Sequence, residues 1–248
     1  MKDKFKLQSE QYEFPYHYLV DLQSRDFGRT LDWGLDYLSY VAKVIDLVQE
    51  HVRDSLLDVG CGDGYLLYNL AQDRTFGNQV TAVGIDVDEK AIKFAQAFSH
   101  GLPVSFKVQD VSSFDESFNM ITLVETLEHI PDDELGSFLT HIDRLLQSMG
   151  TLIISVPSDV RPVLEKHYRH YSLDMLKSYF PGYDVIDVHF VTDRGNVLYK
   201  IIARLLSDRR MNFNYGVFKR LLFKMHDRLT RDVTEDRGAH IVAAFRKP

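Results

Sequence analysis

The residues with the clearest chemical meaning form a glycine-rich turn directly after a short apolar segment. Leu56–Val59 has the composition of a buried strand, and Gly60–Gly64 follows it with the spacing Gly-x-Gly-x-Gly. The apolar periodicity after Tyr65 then predicts a helix. Glycines let the backbone approach a ligand closely, and the first turn of a helix presents unbonded N–H groups. This segment therefore predicts a site for a nucleotide-like ligand.

The spacing of the three glycines separates two classes of nucleotide site. The dinucleotide fingerprint needs its third glycine one position later, where this chain has Tyr65. An NAD-dependent dehydrogenase is therefore a disfavoured alternative.

Acidic residues stand where three predicted strands end. Asp58 precedes the glycine turn, Asp86 ends the strand pattern at 80–86, and Asp110 follows the pattern at 104–108. In a parallel sheet these ends meet at one edge, where ligands bind. A carboxylate there can accept hydrogen bonds from ribose hydroxyls or from an exocyclic amine. A single Asp at such a position is usually a turn or helix-cap residue. Three Asp residues at the ends of successive strands instead favour a nucleoside site.

The fold class follows from the alternation of strand and helix patterns from Ser55 onward. Strand patterns occupy 55–60, 80–86, 104–108, 120–124 and 151–156, and helix patterns occupy 89–99 and 132–147. Near-continuous apolar strands separated by helices predict an α/β fold with a doubly wound, mostly parallel sheet. Two further strand patterns, at 183–191 and 239–246, enclose an insertion with two helical patterns.

Composition limits the class of protein. The chain has 248 residues, a formal net charge of −7 and a single cysteine, Cys61. The negative charge disfavours non-specific binding to nucleic acid, and one cysteine excludes an internal disulfide. We find no signal peptide and no run of apolar residues that could span a bilayer, and we expect a cytoplasmic protein.

Five motifs, taken in order, resemble those of class I S-adenosylmethionine-dependent methyltransferases, including the ubiquinone-pathway O-methyltransferases. They are 57–64, 84–86, 109–111, 124–132 and 150–157. The resemblance implies a seven-stranded sheet whose last strand is antiparallel. It also implies one domain over 1–248, with an N-terminal lid and helix (1–52), a cofactor-binding core (53–191), a helical basic insertion (192–238) and a last strand (239–248).

The resemblance also assigns cofactor contacts. The glycines would lie against the methionine moiety with Asp58 near its ammonium, Asp86 would hold the ribose, and Asp110 with Val111 would hold the adenine. Glu125 would lie beside the sulfonium. The full predicted set for S-adenosylmethionine is Asp58, Gly60, Cys61, Gly62, Gly64, Asp86, Val87, Asp110, Val111 and Glu125.

Two histidines are candidate catalytic residues. His129 follows the strand that ends near Glu125, and its ordinary pKa suits proton transfer from an acceptor hydroxyl. The alternative is a histidine that fixes the loop. His170 lies in a segment, 166–171, that resembles an acceptor-facing segment of the family; the alternative is packing before the helix that begins at Ser172.

A divalent metal ion is a further alternative for the same residues. Glu125, Glu128 and His129, together with a later histidine such as His170, offer ligands typical of divalent ions, in a pattern that resembles the small-RNA 2′-O-methyltransferases. The Glu-x-x-Glu-His pattern also resembles many methyltransferases with no implied metal role. We therefore assign no metal ligands from the sequence.

Two segments outside the core are candidates for acceptor selection. Aromatic residues near the start could form a lid over the cofactor or pack on the sheet edge; they include Tyr12, Phe14 and Tyr16. The insertion is rich in Arg and Lys within an acidic chain. It could cover the acceptor site, lie on an anionic membrane, or form a solvated face or a dimer contact.

The sequence thus predicts methyl transfer from S-adenosylmethionine to an oxygen or nitrogen of a small molecule. The alternatives are an RNA 2′-O-methyltransferase and a protein that binds S-adenosylmethionine without turnover. The acceptor and the oligomeric state cannot be read from the sequence, because acceptor sites vary on this fold.

Overall fold

The computed structural model describes residues 4, 6, 29–193, 195–207 and 216–248. The aromatic residues of the predicted lid, Tyr12, Phe14 and Tyr16, lie outside the described residues, as do Arg194 and residues 208–215 of the insertion.

Helices and strands alternate along the described chain. The helices are α1 (Arg29–His51), α2 (Tyr65–Ala71), α3 (Arg74–Gln79), α4 (Glu89–Phe98), α5 (Asp132–Leu145), α6 (Leu173–Tyr179), α7 (Val197–Ser207) and α8 (Gly216–Thr230). The strands are β1 (Ser55–Val59), β2 (Thr81–Asp86), β3 (Val104–Val108), β4 (Phe118–Val124), β5 (Leu146–Pro157), β6 (Asp184–Val191) and β7 (His240–Arg246).

The seven strands form one sheet in the order β3-β2-β1-β4-β5-β7-β6. The first five strands in this order run parallel, and β7 runs antiparallel to both of its neighbours. The order reverses between β1 and β4, which is where ligands bind in such sheets. The predicted fold class, a mostly parallel doubly wound sheet with an antiparallel last strand, is confirmed.

Both faces of the sheet are buried, which explains the near-continuous apolar strands. On one face, Leu57 and Ile121 belong to a core that also contains buried residues of α5 and α6. On the other face, Leu56 and Met120 join a core built with α1, α2 and α4. Alternate residues of one strand therefore pack into cores on opposite faces of the sheet, as expected for a parallel sheet covered by helices.

The largest difference from the sequence prediction lies at the start of β5. The helix was predicted to reach Gln147 and the strand to begin at Thr151, whereas α5 ends at Leu145 and β5 begins at Leu146. Exposed residues from Gln147 to Met149 hide the strand pattern, and Met149 takes a positive φ of 58°. Because the start of this strand is irregular and faces solvent, its sequence lacks the alternation of apolar and polar residues that predicts a strand.

The insertion leaves and re-enters the sheet at the edge that carries the glycine turn. Register aligns Pro157 of β5 and Val191 of β6 with the same residue, His240, at the start of β7. The insertion therefore begins and ends beside the carboxyl ends of the parallel strands. It is fixed there by Thr192, which accepts from Ala239 N–H and donates its own N–H to the Thr230 carbonyl.

Within the described part of the chain, no helix combines the length and the apolar character needed to cross a membrane.

Candidate active site

A cavity of about 570 Å³ opens at the carboxyl ends of the parallel strands. Pockets of this size are typical of cofactor and small-molecule sites. Seven of the predicted site residues line it: Gly60, Asp86, Val87, Asp110, Val111, Glu125 and His129. The other predicted residues stand outside its lining: Asp58, Cys61, Gly62, Gly64 and His170. Seven of the twelve predicted residues thus line the cavity, and they make up about a third of its wall.

The glycine turn has the backbone that the spacing predicts. Gly60, Gly62 and Gly64 all have positive φ, between 54° and 77°, a region that disfavours every residue with a Cβ. Space is restricted as well, because a Cβ on Gly60 would stand 2.6 Å from the Thr126 hydroxyl. The turn is tied to β2 by Gly60 and Cys61, which donate their N–H groups to the Ile85 carbonyl.

Replacing Gly60 with alanine is expected to lower the free energy of unfolding by about 2–4 kcal/mol, because left-handed strain adds to a collision with Thr126. Gly101→Ala is the matched control, since Gly101 has a φ of 83° but nothing within 4 Å of its Cβ position. That variant reports strain alone, about 1–2 kcal/mol. Urea unfolding measures both, and equal losses would contradict a steric role for Thr126.

Asp86 links the turn to the ligand-facing edge of β2. Its Oδ2 accepts from Gly62 N–H at 2.9 Å, and its Oδ1 accepts from Asp88 N–H at 2.8 Å. Burial raises the pKa of the Asp86 carboxyl above its usual value, against these backbone hydrogen bonds. A carboxylate has about four lone-pair sites, so Asp86 retains acceptor capacity toward the cavity for two ligand hydroxyls.

The next part of the cavity wall offers an apolar slot with one polar edge. The Val87 side chain is 53% exposed and lines the cavity together with the buried Val111. Asp110 also lines it and caps the short helical turn Val111–Ser113 by accepting from Ser112 N–H at 2.8 Å. Exposed apolar surface beside a carboxylate suits a flat heterocycle that carries an amine.

Asp58 lies behind the turn and is 2% exposed. Its Oδ1 accepts from the Thr122 hydroxyl at 2.7 Å, which ties β1 to β4. Burial raises the pKa of Asp58 to about 7, although the Thr122 hydrogen bond opposes the shift and the charge of Asp86 adds to it. Asp58 therefore changes its charge near neutral pH in the ligand-free protein.

The raised pKa of Asp58 makes stability depend on pH. The unfolded chain loses this proton near its ordinary value of 3.8, but the folded protein keeps it up to about 7. The folded state thus binds more protons between these values, so its stability falls as pH rises. Asp58→Asn should remove this part of the fall, on the order of 4 kcal/mol. Urea unfolding from pH 4 to 8 measures it, with the exposed Asp174→Asn as control; parallel curves for wild type and D58N would contradict it.

Glu125 stands at the centre of the cavity edge and takes an unusual backbone conformation, with a φ of 51°. Its Oε1 accepts from the Ser155 hydroxyl at 3.0 Å, and its Oε2 lies 3.4 Å from His240 Nε2. Burial alone would raise the pKa of Glu125, but the His240 imidazole and the Ser155 hydroxyl bring it below its usual value. Glu125 is therefore an ionised, oriented carboxylate on the cavity wall.

The sequence does not predict that His240 contacts Glu125. His240 begins β7, is buried, and stacks on Tyr40 of α1 with ring centroids 4.4 Å apart. Its partner Glu125 lies far away in sequence, so no local motif connects the two residues. The only sequence signal was the position of His240 at the start of an apolar strand.

Next to Glu125 lies a second group of ionisable side chains: Glu128, His129 and His167. Each offers one metal-ligating atom, and these atoms lie within 4.8 Å of one another. Glu128 is completely buried, and neither of its carboxylate oxygens has a hydrogen-bond partner among the described residues. Such a group is costly to bury alone. We call these three residues the Glu-His-His cluster.

Hydrogen bonds determine which nitrogen of each histidine in this cluster carries the proton. His129 Nδ1 lies 3.3 Å from the Lys166 carbonyl, and a carbonyl only accepts, so Nδ1 is the donor. His170 donates from Nδ1 to the Arg161 carbonyl at 3.0 Å. Its Nε2 then accepts from His167 Nδ1 at 2.9 Å. Both His129 and His167 are therefore left with a lone pair on Nε2.

The charges of the cluster agree with these proton positions. Burial lowers the pKa of His129 to about 4, with the nearby Lys166 charge acting in the same direction. Burial also lowers the pKa of His167 to about 2. Burial and the neighbouring Glu125 raise the pKa of Glu128 well above its usual value. The cluster therefore consists of two imidazoles that are neutral at neutral pH and one carboxyl whose burial favours the protonated form.

These values change the role expected for His129. From the sequence we expect an ordinary imidazole pKa for His129, but a histidine with a pKa near 4 is a weak general base at neutral pH. His170, the other predicted catalytic histidine, accepts a hydrogen bond from His167 and lies outside the cavity lining, as His167 does. This hydrogen bond orients His167, and a catalytic role of His170 stays a prediction.

The N-terminal segment reaches the cavity through Lys4. Its Nζ donates to the Glu165 carbonyl at 3.0 Å and lies 4.6 Å from the centre of the Tyr168 ring. Lys4 and Tyr168 both line the cavity. The aromatic residues predicted to form a lid lie outside the described residues, so the lid stays a prediction.

The sheet order, the antiparallel β7 and the positive-φ glycine turn beside Asp86 define a class I methyltransferase fold. A family model described as "Methyltransferase domain" matches residues 50–198, more than half of the chain. The chain belongs to this methyltransferase domain family.

Curated relatives match part of the chain. The ubiquinone biosynthesis O-methyltransferase of Xanthomonas oryzae pv. oryzae is 36% identical over 126 residues, 48% of this chain and 47% of that protein. The protein of the same name from Chromobacterium violaceum is 36% identical over 99 residues, 36% of this chain and 40% of its own length. The chain thus spans less than half the length of these relatives.

Solved structures show the same fold over the whole chain. Magnesium protoporphyrin IX methyltransferase from Synechocystis PCC 6803, with bound SAM, has a TM-score of 0.60 and 14% identity, covering 100% of this chain and 99% of that one. The N-methyltransferase NodS from Bradyrhizobium japonicum WM9, in complex with S-adenosyl-L-homocysteine, has a TM-score of 0.58 and 15% identity, covering all of both chains.

Proposed function

We propose that this protein transfers a methyl group from S-adenosylmethionine to an oxygen or nitrogen atom of a small molecule. The observation that carries the proposal is the convergence of Gly60, Asp86 and Glu125 on one cavity at the switch point of the sheet. Membership of the methyltransferase domain family supports it, as do the names of the relatives and the cofactors in the related structures.

Each part of the cavity wall suits one part of the cofactor. Asp86 would accept from the ribose hydroxyls, and the slot between Val87 and Asp110 would hold the adenine. Glu125 would face the positively charged end of the ligand, where an ionised carboxylate favours a sulfonium or an ammonium. The glycine turn would allow the chain to approach the methionine moiety. The bound S-adenosylmethionine supplies an already activated methyl group.

The protein then has to align an acceptor and exclude water. The part of the lining near His129 includes the apolar Ile130 and Phe138 and the charged Glu134 and Lys166. Tyr168 and Lys4 also line the cavity. We propose that this wall takes a partly apolar ring or chain with one hydroxyl or amine, and the relatives named as ubiquinone biosynthesis O-methyltransferases support a small-molecule acceptor.

Calorimetry tests the cofactor, and turnover tests the activity. The protein should bind S-adenosylmethionine and S-adenosylhomocysteine, and it should bind NAD at least about a hundredfold more weakly. Preference for NAD would overturn the proposal. Incubation with labelled S-adenosylmethionine and a set of phenols, amines and short RNAs should label a small molecule. Binding without transfer to any of them would favour a non-catalytic cofactor-binding protein, and labelling of RNA would favour the RNA alternative.

We further propose that the Glu-His-His cluster takes up a divalent metal ion beside the acceptor position. Two neutral imidazoles with lone pairs on Nε2 and one carboxyl with unsatisfied oxygens fit such an ion. The other ring nitrogens bond to backbone or to His170, which is the support that metal-ligating histidines have. Glu125 lies outside this group of ligand atoms, and its carboxylate is held by Ser155 and His240. A bound ion would lower the pKa of an acceptor hydroxyl.

We also propose that the protein is located in the cytoplasm. Fractionation of cells tests this location.

A further inference from the structure

Helix α7 carries apolar side chains on two opposite faces. Tyr199 and Ile202 are buried against the rest of the protein. On the other side, Val197 is 70% exposed and Ile201 is 51% exposed. A helix that is apolar on both faces is normally covered on both. The outer face of α7 therefore presents more apolar surface to solvent than the fold requires.

Helix α8 repeats this arrangement beside α7. Leu222 and His226 point inward, and His226 packs on Tyr199 with ring centroids 5.5 Å apart. Leu221 and Met225, one helical turn apart, are 53% and 36% exposed. Together, the exposed residues of the two helices form what we call the outer face: Val197, Leu198, Lys200, Ile201, Arg204, Leu221, Lys224, Met225 and Arg228.

The charge of the outer face is opposite to that of the whole protein. The sequences of α7 and α8 contain six Lys and Arg residues and one acidic residue, whereas the chain has a net charge of −7. Lys200, Arg204, Lys224 and Arg228 are all exposed. Basic residues interleaved with exposed aliphatic ones are typical of helices that lie on anionic membranes.

The position of the two helices gives this surface a consequence for the site. The insertion begins after β6 and ends at His240, which lies 3.4 Å from the cavity residue Glu125. The outer face is therefore attached to the edge of the sheet at which the cavity opens. If the outer face binds to another surface, the edge of the sheet at which the cavity opens would therefore lie close to that surface.

We infer that the outer face of α7 and α8 docks on an anionic lipid surface. A symmetric dimer through this face would bring its basic residues against their own copies, which is unfavourable. A nucleic acid would match the basic residues but would leave Val197, Ile201 and Leu221 without an apolar partner. A bilayer surface with anionic headgroups matches both components, because its headgroups attract the basic side chains and its acyl boundary accepts the aliphatic ones.

Flotation of the purified full chain with vesicles tests the inference without cofactor or acceptor, so its outcome is independent of methyl transfer. The protein should float with phosphatidylcholine vesicles that contain phosphatidylglycerol and much less with pure phosphatidylcholine vesicles. Binding should weaken as salt rises, because the attraction of the basic residues is screened. The double variant Lys200→Gln/Lys224→Gln should bind anionic vesicles roughly fivefold more weakly for each charge removed.

Apolar variants separate docking from simple charge attraction. Ile201→Ser should weaken binding to anionic vesicles, and Ile201→Trp should strengthen it, because tryptophan favours the interface. Val185→Ser and Lys93→Gln are the matched controls, since both residues are exposed outside the outer face. The gain expected for Ile201→Trp keeps the test informative even where a serine variant folds poorly.

Equal flotation with neutral and anionic vesicles, or unchanged binding of the outer-face variants, would overturn the inference. A concentration-dependent dimer of the wild type that Ile201→Ser dissociates would assign the face to a second copy instead. Binding of a mixed-sequence RNA that depends on Lys200 and Lys224 but not on Ile201 would assign it to nucleic acid.

Discussion

Asp86→Ala is expected to weaken the binding of S-adenosylhomocysteine by at least about a hundredfold, since each hydrogen bond from a ribose hydroxyl to a charged group contributes about 1.5–3 kcal/mol. The variant also removes the acceptor of Gly62 N–H and Asp88 N–H, which loosens the turn that faces the methionine moiety. Calorimetry gives the change in Kd.

Two comparisons separate the ribose contact from the support of the turn. A 2′-deoxy analogue of the ligand should bind wild type more weakly than S-adenosylhomocysteine. Asp86→Ala should then reduce the affinity for this analogue by a smaller factor than the affinity for S-adenosylhomocysteine, because one of the two ribose contacts is already absent. Asp115→Asn is the control, since Asp115 is exposed and bonds to Arg144 outside the cavity. Equal losses for both ligands in Asp86→Ala would contradict ribose recognition and leave only a role in shaping the turn.

The cofactor half of the site was largely predictable because its residues belong to local patterns. An apolar strand, a turn with three glycines and acids at successive strand ends are all read within short windows, and the topology of a parallel sheet then brings them together. Gly60, Asp86 and Asp110 were placed on one edge by this argument, and the cavity lining includes all three.

The acceptor side of the site is built by contacts between residues that are far apart in sequence, so no short sequence segment reveals it. From the sequence, His170 is the second candidate histidine of the site, but His167, which bonds to His170 at 2.9 Å, is the histidine grouped with Glu128 and His129. The two differ by three positions in a loop without regular structure, so periodicity could not choose between them. Burial, which sets the pKa of His129 to about 4, is likewise a property of the assembled site.

Glu128→Gln distinguishes a metal ligand from a structural acid. In the metal-free protein burial favours the protonated form of Glu128. Glutamine matches a protonated carboxyl in shape, so the free energy of unfolding should change by less than about 1 kcal/mol. As a metal ligand, however, Glu128 must be ionised. The variant should lose affinity for Zn²⁺ or Mn²⁺ by more than about a hundredfold, and turnover should fall with it. Affinity for S-adenosylmethionine should stay the same.

The pH dependence sharpens this prediction. Because the pKa of Glu128 is raised well above its usual value, metal binding to wild type releases a proton from it, and metal affinity should rise with pH. His129 and His167, with pKa values near 4 and 2, are already neutral at neutral pH and add no slope. Glu128→Gln should therefore abolish the slope, whereas Glu134→Gln, a carboxylate on the cavity wall outside the cluster, should retain it. Full activity after metal stripping, together with normal turnover of Glu128→Gln, would instead make Glu128 a neutral buried acid that supports the loop.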